Sequence, residues 1–129
     1  MKIQLVNGLP IISFPLTYNN QTILLNNVLL DTGCSTTIFD TDIVDKVGLE
    51  IDFISGKSVR MFGVGGQSEL CYQQAVSNLL IDHLSLQNFT IQLGITKESY
   101  GFEAILGIDI MLHFGFKIDF VNLKVLYNL

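Results

Sequence analysis

The chain has 129 residues, the size of one domain, and can bury a core without disulfide or metal staples. Apolar residues make up 49% and charged ones 15%, with a mean hydropathy of +0.46, yet no apolar run approaches the roughly 18 residues of a membrane span. Net charge is −5, and the seven Lys and Arg are scattered, which excludes the basic footprint of a nucleic-acid binder.

The opening stretch, "MKIQLVNGLPIISFPL", lacks the basic region, apolar core and small-residue cleavage site of a secretory leader. Cys34 and Cys71 have no CxxC spacing. The expectation is a cytoplasmic protein with two free thiols, although the spacing leaves a disulfide between them open. So apolar a chain without a membrane segment points to a large core, an oligomer interface or an apolar groove.

In chain order, "PIISFPLTY" (10–18) and "TILLNNVLL" (22–30) read as strands joined at the turn signal Asn19-Asn20-Gln21. "DTDIVDKVGLEI" reads as a short helix, with Asp40 or Thr41 as N-cap, Ile43, Val44 and Val47 on one face and Gly48 as its stop. "LCYQQAV" (70–76) and "LSLQNFTIQL" (84–93) are strand-like, the second broken near Gln87-Asn88. "IDIMLHFG" (108–115) predicts a second helix, with Ile108, Met111 and Leu112 at i, i+3 and i+4 and Gly115 as its end. The closing "FKIDFVNLKVLYNL" predicts two strands around Asn122. The expected architecture is one mainly β domain over 1–129 with two short helices. "LLDTG" (29–33) and "AILGID" (104–109) form a weak internal echo: each is an apolar strand that meets a glycine.

The chemistry concentrates at "NNVLLDTGCSTTIF" (26–39), where an apolar strand runs straight into Asp31-Thr32-Gly33. A carboxylate beside buried strand residues must be paired, protonated or used. The tripeptide alone is weak, but apolar residues precede it, Ser35, Thr36 and Thr37 follow, and a glycine-rich hairpin and Ile105-Leu106-Gly107 lie downstream. With those matches the sequence resembles the retropepsin-like aspartic peptidases. These are the single-domain relatives of the retroviral proteases and of the protease-like domain of the DNA-damage-inducible ubiquitin shuttles. The resemblance runs from about Ile11 to Leu126. It rests on Leu29-Leu30 before Asp31-Thr32-Gly33, on "RMFGVGGQSEL" (60–70) as the flap hairpin, on "AILGIDIMLHFG", and on the closing "KIDFVNLKVLYNL". Cys34 departs from the pattern, standing where retroviral members usually carry Ala and pepsin-like ones Ser, and so bears on the outer hydrogen bonds of the carboxylate.

The resemblance implies an all-β, closed-barrel-like fold and a cofactor-free, metal-free endopeptidase in which Asp31 is catalytic. Thr32, Gly33 and Cys34 would support the active-site loop. Phe62, Gly63, Val64, Gly65 and Gly66 would form the flap over an extended polypeptide, and Ile105, Leu106 and Gly107 a second loop near the site. Two carboxylates sharing one proton supply both acid and base, as in aspartic proteases as a class. One DTG per chain then requires a homodimer, with the second Asp31 from the partner.

Other readings use the same residues. Asp31 can be a plain turn residue after a strand. "GVGG" can be a flexible loop, and fits neither GxxxxGK[ST] nor GxGxxG. Cys34 can be a small buried hydrophobe; as a nucleophile it would need a His, and neither His83 nor His113 has a matching signature. Cys34, Cys71, His83 and His113 lack metal-ligand spacing. Asp109 and Asp119 are expected to cap or pair locally, and Ile105, Leu106 and Ile108 to be core. The rival function is the same fold used as a catalytically inactive dimerisation or peptide-binding module.

Overall fold

The computed structural model describes residues 1–62, 66 and 68–127. Its first strands are two hairpins set by asparagine. β1 (Ile3–Val6) turns into β2 (Leu9–Tyr18) through Asn7 and Gly8, and β2 into β3 (Gln21–Leu30) through Asn19 and Asn20. All four turn residues have positive φ, the backbone of two-residue hairpin loops. The β2–β3 hairpin and its turn match the sequence reading; β1 was not anticipated.

Nine further strands follow. They are β4 (Ile38–Asp40), β5 (Lys57–Phe62), β6 (Ser68–Val76), β7 (Leu79–Ile81), β8 (Leu84–Leu86), β9 (Phe89–Gly94), β10 (Ala104–Leu106), β11 (Lys117–Asp119) and β12 (Lys124–Leu126). The main sheet runs β5-β6-β9-β4-β10-β3-β2-β7-β8, with β1 paired to β2; β11 and β12 form a separate hairpin. No described pairing joins the two ends of that path. Asn88, at positive φ, sits at the expected break between β8 and β9.

The internal echo is a physical pairing. β10 lies parallel to β3 in the register Ala104↔Val28, Ile105↔Leu29 and Leu106↔Leu30, so the two apolar segments end side by side in mid-sheet. β4 then returns antiparallel to β10 and parallel to β9. Val28, Phe39, Leu93, Ala104 and Leu106 are buried along this centre, and Phe14, Leu16 and Leu25 continue the core.

Three short helices are described, one more than expected. α1 (Thr41–Asp45) is capped by Asp40, which accepts from the Ile43 amide, and buries Ile43 and Val44. Val47 is buried beyond its end, and Gly48 has the left-handed φ of 83° expected of a stop. The additional helix, α2 (Lys97–Tyr100), buries no residue and so leaves no apolar periodicity to read. α3 (Ile108–Phe114) ends at Gly115 as expected, but turns a different face inward: Ile110 and Met111 are buried, whereas Leu112 is 74% exposed. Its rotation is set by its first turn. The Ile108 amide donates to the Cys34 carbonyl, and the Asp109 carboxylate faces Thr37. Among the described residues, no helix is long and apolar enough to cross a membrane.

Candidate active site

Asp31 follows β3 directly, where that strand ends against β10. Its amide donates to the Leu106 carbonyl at 2.9 Å, and its own carbonyl accepts from the Cys34 amide at 3.1 Å, closing a tight turn. The carboxylate folds back over this turn, Oδ1 accepting the Gly33 amide at 2.9 Å. A Cβ on Gly33 would stand 3.2 Å from that oxygen, so glycine is the residue that lets backbone and carboxylate meet without crowding. Asp31 is half-buried, Thr32 and Gly33 are exposed, and Cys34 is half-buried.

The second loop locks onto the first. Gly107 is buried in extended backbone, and a Cβ there would lie 2.5 Å from the Cys34 carbonyl oxygen and 3.2 Å from the Thr37 nitrogen. Its amide donates to Thr37 Oγ1 at 2.9 Å, and the Ile108 amide to the Cys34 carbonyl at 2.8 Å. Asp109 completes the clasp: both its oxygens accept the Thr37 amide at 3.1 Å, and Oδ1 also accepts the Thr37 hydroxyl at 2.7 Å. The expectation of a local role therefore holds for Asp119, which caps the Val121 and Asn122 amides, but needs correcting for Asp109. Asp109 reaches 72 residues back, and its carboxylate accepts the Thr37 amide and hydroxyl together.

A cleft of about 330 Å³ opens over Asp31. Leu29, Ile38 and Ile105 contribute apolar lining, Gly33, Cys34 and Ser35 the loop beside the carboxylate, Met61, Phe62 and Glu69 the part from β5 and β6, and Tyr100 and Phe102 the part from α2 and the segment after it. Of the expected flap, Phe62 lines the cleft and Gly66 is exposed at a φ of 81°; Gly63, Val64 and Gly65 lie outside the described residues. Of the second loop, Ile105 lines the cleft and is only half-buried, Leu106 is core, and Gly107 is the close-packing point beneath the Asp31 turn. Ile108 is likewise half-buried rather than fully core.

Both cysteines are free. The Cys34 thiol donates to the Thr36 carbonyl at 3.0 Å rather than to Asp31. Burial, reinforced by the Asp31 and Asp109 charges, pushes the Cys34 thiol above its ordinary range, and burial pushes Cys71 up to about 11. Both therefore stay protonated near neutrality, the wrong state for a nucleophile. The histidines are engaged elsewhere: His113 packs edge-on against Phe89 and Phe114, and His83 stands exposed beside Asp82.

Sequence reasoning missed Thr37 and Asp109 as the clasp, and Glu69, Tyr100 and Phe102 as cleft wall. Asp109 had a readable signal in its place two residues after Gly107. The wall residues had none, because they come from β6, α2 and the segment between α2 and β10, brought together only by the sheet order.

A scan against protein-family models finds no match, and a search of curated proteins finds none. Solved structures do match. A retropepsin-like aspartic protease from Rickettsia conorii superposes with a TM-score of 0.61 at 20% identity, covering 92% of this chain and 82% of that one. The retroviral protease-like domain of Ddi1 from Leishmania major gives 0.59 at 14% identity, covering 92% and 88%. At these identities the likeness is one of fold, and it agrees with the resemblance carried by the DTG, hairpin and Ile-Leu-Gly segments: this chain has the retropepsin-like fold.

Proposed function

We propose that this chain is one subunit of an aspartic endopeptidase, with Asp31 as its catalytic carboxylate and the second carboxylate supplied by Asp31 of another copy. The observation that supports this most is the placement of Asp31. It sits at the end of the central parallel strand pair, pinned through its backbone to Leu106 and facing an apolar cleft. A structural turn carboxylate has no use for such a cleft.

In this reading one carboxylate takes a proton from water as the water oxygen attacks the scissile carbonyl carbon. The proton held by the other passes to the departing amine nitrogen as the C–N bond breaks. The pair titrates as a unit, so no single pKa belongs to either residue. An extended peptide would lie along the cleft with alternate side chains against Leu29, Ile38, Ile105 and Phe102. Exposed Thr32 is left to contact the partner copy at the axis.

Cleavage of a mixed peptide library between about pH 4 and 7 tests the reading. Asp31→Asn keeps the side chain's shape and removes the ionisable group, and is expected to cut cleavage at least ~10²-fold while folding is retained. Equal cleavage by parent and variant would overturn it. One observation favours the inactive-module reading: the Cys34 thiol is committed to Thr36 and offers Asp31 no hydrogen bond. In that case neither protein cleaves, and both bind the same peptides equally.

A further inference from the structure

The cleft wall carries one polar device that peptide hydrolysis does not use. The Tyr100 hydroxyl donates to Glu69 Oε1 at 2.6 Å, joining α2 to β6 across the side of the cleft. Glu69 is paired with Met61 in the β5–β6 ladder, so their side chains stand on one face. Arg60, one residue earlier, alternates to the other face and gives its guanidinium to Ser68 Oγ at 3.2 Å. Among the described residues lining the cleft are two carboxylates, Asp31 and Glu69, and no Lys, Arg or His; the rest of the wall is mostly aliphatic or aromatic. A tyrosine that donates to a carboxylate holds it in one place while leaving its other oxygen free to accept.

From this juxtaposition we infer that Glu69, positioned by Tyr100, is a specificity-determining residue that selects a substrate side chain with an apolar stem and a cationic end, lysine or arginine. The stem lies against Met61 and Phe102, and the head meets the Glu69 carboxylate. Long basic side chains bury their methylenes and keep the charge at a polar rim in this manner. Glu69 and Tyr100 are both solvent-exposed, so the ion-paired hydrogen bond has the modest strength of a surface salt bridge and weakens in salt. An uncharged side chain of the same length would fill the same space without meeting the charge on Glu69.

The inference deepens the peptidase reading and rests on it for the location of the peptide, but binding tests it separately from chemistry. The probes are pairs of extended apolar peptides, identical except for lysine or norleucine at one position, with that position moved along the peptide. Binding is followed by fluorescence anisotropy in the Asp31→Asn protein, and cleavage in the parent. At one position lysine is expected to bind and to be cleaved roughly threefold better than norleucine, the ratio worth about 0.7 kcal/mol. That ratio should fall close to one in Glu69→Gln, shrink in added salt, and fall part-way in Tyr100→Phe, where the charge stays but its anchor is lost.

A ratio near one at every position in the parent, or an unchanged ratio in Glu69→Gln, overturns the inference. If that happens while Asp31-dependent cleavage persists, the peptidase reading stands without it. If instead the Glu69-dependent lysine preference appears in binding and the parent cleaves nothing, the selectivity is upheld and the catalytic reading falls.

Discussion

A single side-chain choice separates the two chemistries open to this loop. Asp31 keeps one carboxylate oxygen on the Gly33 amide and faces the cleft, while the adjacent thiol of Cys34 is tied to Thr36 and held protonated by burial and by neighbouring acids. Cys34→Ala is therefore expected to leave peptide cleavage within about threefold of the parent, whereas loss of a nucleophile would abolish it. Alkylation gives an independent check. At pH 7 Cys34 should react with iodoacetamide more slowly than an unperturbed thiol, and accelerate only as pH rises past the ordinary cysteine range. At this scale the sequence was highly legible for Asp31, Thr32 and Gly33, because their spacing is dictated locally by the turn. It was silent on Glu69 and Tyr100, whose meeting depends on sheet order.

At the scale of elements, the site is a parallel pair of strands clasped by side chains. β3 and β10 deliver Asp31 and Gly107 to the same level, and Thr37 and Asp109 fasten the loops that follow. Asp109→Ala leaves the Thr37 amide and hydroxyl without their acceptor and is expected to cost roughly 1–3 kcal/mol in denaturant unfolding. Gly107→Ala places a methyl group against the Cys34 carbonyl and should cost a similar amount or more, since backbone lies on the contacted side. α3 offers a sharper contrast. Ile110→Ala, in the core, should cost roughly 2–5 kcal/mol, whereas Leu112→Ser should stay within about 0.5 kcal/mol. The i, i+3, i+4 pattern misassigned Leu112 because a helix this short is oriented by its first-turn hydrogen bonds rather than by apolar spacing. The β2–β3 hairpin, in contrast, was legible from its Asn19-Asn20-Gln21 turn. Asn7-Gly8 carried the same signal for β1, in a stretch that composition alone did not mark as a strand.

At the scale of the whole molecule, the apolar composition is only partly spent on the core. Phe53, Ile54, Phe62, Phe120 and Val121 are each at least 60% exposed. The proposed pairing of two copies would use such surface, and sedimentation over a concentration series is expected to show a dimer. The dimer is also what the proposed dyad chemistry requires, since each chain carries one DTG.

The central claim, that catalysis needs one Asp31 from each of two copies, is tested most directly by mixing. Parent and Asp31→Asn chains are unfolded together, refolded at equal amounts and fixed total concentration, and assayed for peptide cleavage. If every active centre needs both carboxylates and pairing is random, activity should fall to roughly a quarter of that of the parent alone, and follow the square of the parent fraction as the ratio varies. Activity that falls only to a half, and tracks the parent fraction linearly, would show that each chain works with its own Asp31 and would contradict the shared-dyad account.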